Sequence, residues 1–313
     1  MTPTPIFLDT DIGDDIDDLL ALAIACASPE IELRGVGTVF GPTVRRTQVA
    51  RSVLVLAGIS TPVHAGLADP LTPSSRRPEF AEKIERRFHP IEGIKLHVDF
   101  GLPESELPAV SDVDAPSAIS AFWGGTEMQG RTVAVGPLSN LASALLDSSQ
   151  RPPMTVMAGQ FEGLDWAEWN VLCDPDAAAI VFQSGAPIDV IPFRIGVDLS
   201  FTSEEIKGFT TLGTPLSDLF RDAIALWQGQ GFGFHVWDLL AVLAAGRPEL
   251  FEWRAGTVHV EAGSSQHGHT SFEPRQDGLH RIAVGAERGA IVPLMIERLA
   301  EAATNCRRVP QDR

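Results

Sequence analysis

From Asp9 to Asp18 the chain reads Asp-Thr-Asp-Ile-Gly-Asp-Asp-Ile-Asp-Asp, with six carboxylates in ten positions. Carboxylates at that density repel one another, and the cost climbs when they are withdrawn from water. A bound cation is the simplest remedy. A donor set made of oxygen alone selects a hard ion such as Ca²⁺ or Mg²⁺. The acids lie between the apolar Ile6-Phe7-Leu8 and the apolar Leu19-Leu20-Ala21-Leu22, which places them at a strand-to-helix junction. Gly13 permits a tight turn there. Asp17 and Asp18 fall in the first helical turn, where negative charge suits the helix dipole. A merely solvated acidic helix start would not need Asp9 and Asp11 directly behind an apolar strand.

Two metal-binding patterns compete for this run. An EF-hand loop is excluded by register, because it wants an acidic or amide side chain where Gly13 stands. A strand followed by Asp-x-Asp also opens the haloacid-dehalogenase-type phosphatases. In that reading Asp9 is the nucleophile, Asp11 the acid/base and Mg²⁺ the cofactor. The pattern wants Thr or Val at position 13 and a lysine downstream. The chain has three lysines, Lys83, Lys95 and Lys207, none in an evident phosphate loop. The Mg²⁺ phosphatase stays as a weaker alternative.

The elements that must position the acids alternate along the chain. Strands are expected at Ile6–Asp9, Ile31–Phe40, Pro62–Ala65, Thr132–Val135, Met154–Ala158 and Ile188–Pro192, with late strands at Val258–Glu261 and Ile282–Val284. Helices are expected at Asp17–Ala27, Val44–Ala57, Pro116–Trp123, Leu141–Leu146, Pro175–Ser184, Pro215–Trp227, Val236–Ala245 and Ile291–Ala303. Residues 68–113 are less periodic and read as loops with a short helix; Gly229–Gly233 reads as a helix connection or a mobile loop at a pocket mouth. The alternation predicts an α/β fold, a single domain over 1–313 ending in a polar tail, with a mostly parallel, Rossmann-like sheet. Ligands of such sheets bind at the carboxyl ends of strands. Asp9, Asp11, Gly136–Asn140 and Ala158–Gly159 all follow strands.

Composition narrows the partner. The net charge is −17, with no lysine/arginine stripe, which argues against nucleic acid. Cys26, Cys173 and Cys306 are widely spaced, which suits a reducing cytoplasm and argues against disulfides or zinc. No signal peptide is read, and no apolar run reaches the roughly 20 residues needed to cross a bilayer. The expected partner is a small molecule. Tyrosine is absent, so aromatic contacts fall to sixteen Phe and six Trp. His259, His267, His269 and His280 lack ligand spacing and are expected at the surface, as are Ser74–Arg77 and Arg307-Arg308.

The acidic run resembles the N-terminal signature of the inosine–uridine nucleoside hydrolase family, Asp-Thr-Asp-x-Gly-x-Asp-Asp followed by a small-apolar helix. The second aspartate pair here is Asp17-Asp18, two residues later than in the shorter form. The likeness continues through Gly35–Thr38, Val63–Gly66, the His97, Asp99, Gly101, Leu102 segment and Gly136–Ala142. It resumes at Met157–Gly159, Glu168–Asn170 with Asp174–Ala178, Gly196–Ser200 and Trp237–Ala241. The resemblance implies a Ca²⁺-dependent hydrolase of N-ribosidic bonds. It implies Asp11 as general base and ligand. Asp18, Asp238 and the Val135 carbonyl become further ligands, and the additional Asp15 is grouped beside them without a role of its own. Asp17 would meet the sugar 2′-hydroxyl, and Glu168 and Asn170 the other hydroxyls, with Met157 alongside. Many members carry histidine just before the late aspartate. Here Trp237 stands there, with His235 two residues earlier, as in purine-preferring members that activate the leaving base by stacking. Trp166 is a second candidate for the base. The resemblance also implies a homodimer or homotetramer. Two positions depart from the family pattern: Pro42 replaces a sugar-contacting Asn or Asp, and Glu162 replaces an Asn. They motivate an alternative in which the protein binds a riboside without turning it over or prefers a modified one.

Overall fold

The computed structural model describes residues 2–72, 97, 100–125, 130–263 and 267–305. Asp99, Lys83, Lys95, Ser74–Arg77, Cys306, Arg307-Arg308 and most of the loop-and-helix reading of 68–113 lie outside the described residues.

Nine strands form one sheet in the order β3-β2-β1-β4-β5-β6-β9-β7-β8. They are β1 (Thr4–Thr10), β2 (Ile31–Thr38), β3 (Val63–Ala65), β4 (Arg131–Ala134), β5 (Met154–Met157), β6 (Ile188–Ile191), β7 (Phe251–Val260), β8 (Thr270–Pro274) and β9 (His280–Ala286). The run from β3 to β9 is parallel; β7 pairs antiparallel with both β9 and β8. The helices among the described residues are α1 (Asp17–Ala27), α2 (Thr43–Leu56), α3 (Ala115–Gly124), α4 (Ser139–Asp147), α5 (Trp169–Cys173), α6 (Pro175–Gln183), α7 (Phe193–Asp198), α8 (Ser203–Thr210), α9 (Pro215–Gly229), α10 (Trp237–Gly246) and α11 (Arg288–Thr304).

The sheet is covered on both faces, which is why its central strands are continuous apolar runs rather than alternating ones. β1 buries Ile6, Phe7 and Leu8 at once. One apolar cluster joins Ile6 and Leu8 to α1, α2, α10 and α11, and the other joins Phe7 to α3, α4 and α6. α1 and α10 are buried along almost their whole length, so packing rather than amphipathicity holds them. Strand order reverses between β1 and β4, and a crevice at the carboxyl ends of such a pair is where doubly wound sheets bind ligands. Asp9 and Val135 stand there, joined by Val135 N–H donating to Asp9 O at 2.8 Å.

Several expectations are corrected. β8, α5, α7 and α8 were not anticipated; each is ten residues or shorter, too short for a period to emerge. His267 and His280 are buried, not on the surface. His280 accepts a 2.9 Å bond from Val258 N–H, and His267 Nδ1 lies 2.7 Å from Ala262 O, so each ring has a main-chain partner.

Candidate functional site

The site is a cleft of about 360 Å³ at the carboxyl ends of β1, β4 and β5. That is the small end of the roughly 300–1,000 Å³ span of small-molecule pockets. Its floor is acidic: Asp11, Asp14, Asp15, Asp17, Asp18 and Asp238. Gly13 adopts φ 105° in the loop that delivers three of them, Asp11, Asp14 and Asp15, a conformation open to glycine. Thr10 ties this loop together: its hydroxyl donates to Asp18 and accepts from Ile12 N–H. Asp238 arrives from α10, more than two hundred residues away, and its N–H donates to Asp17 Oδ2 at 3.2 Å. One carboxylate oxygen each of Asp17, Asp18 and Asp238 lies within 4.8 Å of the others, and all three residues are buried.

That arrangement costs the charged forms dearly. Burial pushes Asp17 up to about 7, against bonds from the Asp238 N–H that favour ionisation. Burial and then the neighbouring carboxylates raise Asp18 and Asp238 well above the usual range. Asp15 adds to the charge felt by Asp238, and its Oδ1 accepts from Ile16 N–H at 2.6 Å. The donor set is oxygen only, buried and mutually repelling, which fits a hard divalent cation.

The sides hold the polar residues. Glu168 precedes α5 and caps it, accepting from Asn170 N–H at 2.8 Å, Val171 N–H at 3.3 Å and Gly159 N–H at 3.0 Å. Burial raises its pKa even so. Asn170 spends both amide hydrogens, on Val135 O at 2.9 Å and Met157 O at 3.2 Å. Its Oδ1 is left to accept from a ligand, and the Val135 carbonyl keeps a second lone pair.

The wall is aromatic: Trp166, Phe193, Trp227, Phe232, His235 and Trp237. Phe193 stacks on Trp237 at 5.0 Å and takes Trp166 edge-on at 4.9 Å. Trp237 donates to Phe193 O at 2.6 Å and lies flat against Gly196, where a Cβ would come within 1.9 Å of its ring. Trp227 stacks on Phe232 at 4.3 Å and donates to Gly233 O at 2.9 Å, so the glycine-rich connection between α9 and α10 forms part of the mouth. His235 reaches the cleft from just before α10, 4.4 Å from Trp237, with Nδ1 3.1 Å from Ser200 Oγ. Burial lowers its pKa, so the ring is neutral near pH 7. Among the described residues the lining contains no lysine or arginine.

The fold therefore brings Asp11, Asp15, Asp17, Asp18, Val135, Met157, Trp166, Glu168, Asn170, His235, Trp237 and Asp238 to one cleft. It does not bring Glu162. That residue is exposed and outside the lining, because Gln160 turns inward instead and holds the loop, bonding Glu162 N–H, Leu164 O and Trp166 O. Pro42 precedes α2 and is also outside the lining. The two departures that motivated a silent binder thus lie away from the pocket. Asp9 is fully buried and absent from the lining; Asn140 donates to its Oδ1 at 2.8 Å, and burial pushes its pKa up to about 7. A carboxylate so placed cannot reach a phosphoryl group, which removes the phosphatase reading. Asp14, Trp169, Trp227 and Phe193 line the cleft without having been assigned to it, and Phe232 lies in the glycine-rich stretch for which a pocket mouth was one of two readings. Asp14 was visible in the acidic run; Phe193 had no signal, since an isolated Phe reads as core.

The family model for inosine-uridine preferring nucleoside hydrolases matches residues 6–300. The chain is 31% identical to uridine nucleosidase 1 of Arabidopsis thaliana, covering 86% of this chain and 81% of that one. It is 30% identical to the non-specific ribonucleoside hydrolase RihC of Escherichia coli O1:K1, covering 82% and 84%. The structure of a purine-preferring ribonucleoside hydrolase from Gardnerella vaginalis superposes with TM-score 0.81 at 25% identity, covering 96% and 99%.

Proposed function

The chain belongs to the inosine-uridine preferring nucleoside hydrolase family, and from that premise we propose that it hydrolyses the N-glycosidic bond of ribonucleosides, with Ca²⁺ at the acidic floor and a preference for purines. The observation that carries this reading is the pairing, in one cleft, of a buried carboxylate cluster with an aromatic wall. Among the described residues the lining offers a phosphate no lysine or arginine, which supports a neutral nucleoside as the substrate.

Asp11, Asp17, Asp18, Asp238 and the Val135 carbonyl are the residues that would hold the ion. When bound, it neutralises the floor, orients water and sugar hydroxyls, and makes that water more acidic. Asp11 takes the proton of the attacking water as general base. Asp17 accepts from the sugar 2′-hydroxyl. Glu168 has three of its four lone-pair sites on main-chain N–H groups, leaving one for a hydroxyl, and Asn170 offers Oδ1. The carboxylates also steady the positive charge that develops on the sugar as the bond to the base breaks. At the wall, neutral His235 is not a standing acid. The wall's part is to receive the base between aromatic faces, where a two-ring base gains more contact and leaves protonated from solvent.

Incubating the protein with inosine, adenosine, uridine and nitrophenyl riboside, with Ca²⁺ and after chelation, tests this. Free ribose is expected in the presence of Ca²⁺, with purines ranking above uridine and inosine 5′-monophosphate inert. Release that survives complete chelation would remove the metal from the reading. Preferred turnover of uridine would remove the role given to the wall.

A further inference from the structure

Arg46 is the largest side chain that is wholly buried, and its guanidinium pairs with no carboxylate among the described residues. It donates to three main-chain carbonyls. Nε reaches Phe40 O at 2.7 Å, and Nη1 reaches Ile12 O at 3.0 Å and Asp11 O. A buried cation bonded only to carbonyls is costly unless negative charge stands nearby. That charge is the acidic floor: the two carbonyls that Nη1 meets, Asp11 O and Ile12 O, belong to the loop that carries it.

The three carbonyls belong to two different loops. Asp11 and Ile12 follow β1, at the metal-side turn. Phe40 follows β2 and is the one non-glycine residue among those described with positive φ, at 65°. Such backbone strain persists only where the surroundings enforce it. Phe40 then meets Trp169 edge-on at 6.4 Å, and Trp169 lies between Glu168 and Asn170. His97 is buried nearby, donates its N–H to Gly13 O at 3.0 Å, and is held neutral by burial with a pKa lowered to about 3, so it adds no second cation.

We propose that Arg46 is a positioning residue for the hydrolytic site, serving as the fixed countercharge behind the metal loop and as the clamp that sets that loop's register against the sugar-holding segment at Glu168–Asn170. The inference rests on the hydrolase reading above. The two roles separate chemically. A lysine keeps the charge but, as a compact ammonium on a flexible stem, cannot hold three carbonyls in a planar fork. A methionine keeps neither.

The test uses the full chain. Ca²⁺ affinity is measured by calorimetry, and kcat and KM on nitrophenyl riboside, for the parent, Arg46→Lys and Arg46→Met, with far-ultraviolet circular dichroism of each in chelator. Arg46→Lys is expected to bind Ca²⁺ within about threefold of the parent, with kcat down tenfold or more and KM within about threefold. Arg46→Met is expected to lose at least about tenfold in Ca²⁺ affinity as well. Parental kcat in Arg46→Lys, or parental Ca²⁺ affinity in a folded Arg46→Met, would overturn the inference. Should Arg46→Met not fold, the kcat of Arg46→Lys decides alone. A parent that neither binds Ca²⁺ nor releases ribose fails the hydrolase reading itself and takes this inference with it, an outcome distinct from variants that match an active parent.

Discussion

The floor and the wall of the cleft are built on opposite terms. The floor is stressed: Asp17, Asp18 and Asp238 are buried close together, and their protonation is favoured by burial and mutual repulsion. The wall is content. Its rings stack on one another, and the Trp227 and Trp237 N–H groups are bonded to main-chain carbonyls. The floor is therefore incomplete without a ligand that brings positive charge, whereas the wall is packed before any ligand arrives. Losses in the floor should be felt by every substrate, and losses in the wall only by substrates whose leaving group needs it.

The sharpest break is Asp11→Ala. Turnover of both inosine and nitrophenyl riboside is predicted to fall roughly a thousandfold or more, with circular dichroism unchanged. A variant that kept a tenth of the activity would move the base elsewhere. The floor's stress has a second consequence, in pH. Asp9 and Asp17 titrate near 7 in the fold and close to the ordinary 3.8 when unfolded, so the folded protein holds protons that the unfolded chain has released. Their contribution to stability is full below about pH 4 and is lost as pH rises through 7. The metal-free protein is predicted to melt roughly 5 °C or more lower at pH 8 than at pH 5.5. Saturating Ca²⁺ should remove the share of that slope due to Asp17, and a metal-free melting point flat across this range would contradict the stressed floor.

The wall is probed by Trp237→Ala. We predict a fall of about ten- to a hundredfold in kcat/KM for inosine and less than about threefold for nitrophenyl riboside, whose leaving group needs no proton. Equal losses would make Trp237 a packing residue. Gly196→Ala should reproduce the same split more weakly, because a methyl within 1.9 Å of the indole forces Trp237 off its seat. The smallest effect is assigned to Glu162→Gln. Exposed and outside the lining, it is predicted to change kcat/KM less than about twofold, and a larger change would return that carboxylate to the site.

The same contrast explains what could be read from the sequence. The floor comes from the eight contiguous positions Asp11–Asp18 plus Asp238, and charge repulsion makes such a run conspicuous wherever it is written. α1 was legible to the residue, since the acids mark its start and the apolar run its body. The wall is gathered from four stretches around 166–169, 193, 227–233 and 235–237, none with a period or a spacing of its own. A lone aromatic side chain carries no sign of which way it faces. Trp237 was singled out by resemblance to known relatives and Trp166 as a second candidate for the base, whereas Phe193, the ring that joins them, was not. Arg46 was invisible for the opposite reason: its neighbours Arg45 and Thr47 make it read as one more surface charge on α2. Glu162 failed because the residue count of a loop does not say which of its side chains turns inward, and there Gln160 does.

Glu168 bears on how descendants of this protein would be read. Its carboxylate starts α5 and fastens it to Gly159, irrespective of any sugar. A copy of the gene that ceased to turn over nucleosides would still lose stability by changing that residue, so selection for folding alone would preserve it. Glutamate at the corresponding place in another sequence is thus a record of architecture, and says little about whether its bearer still works.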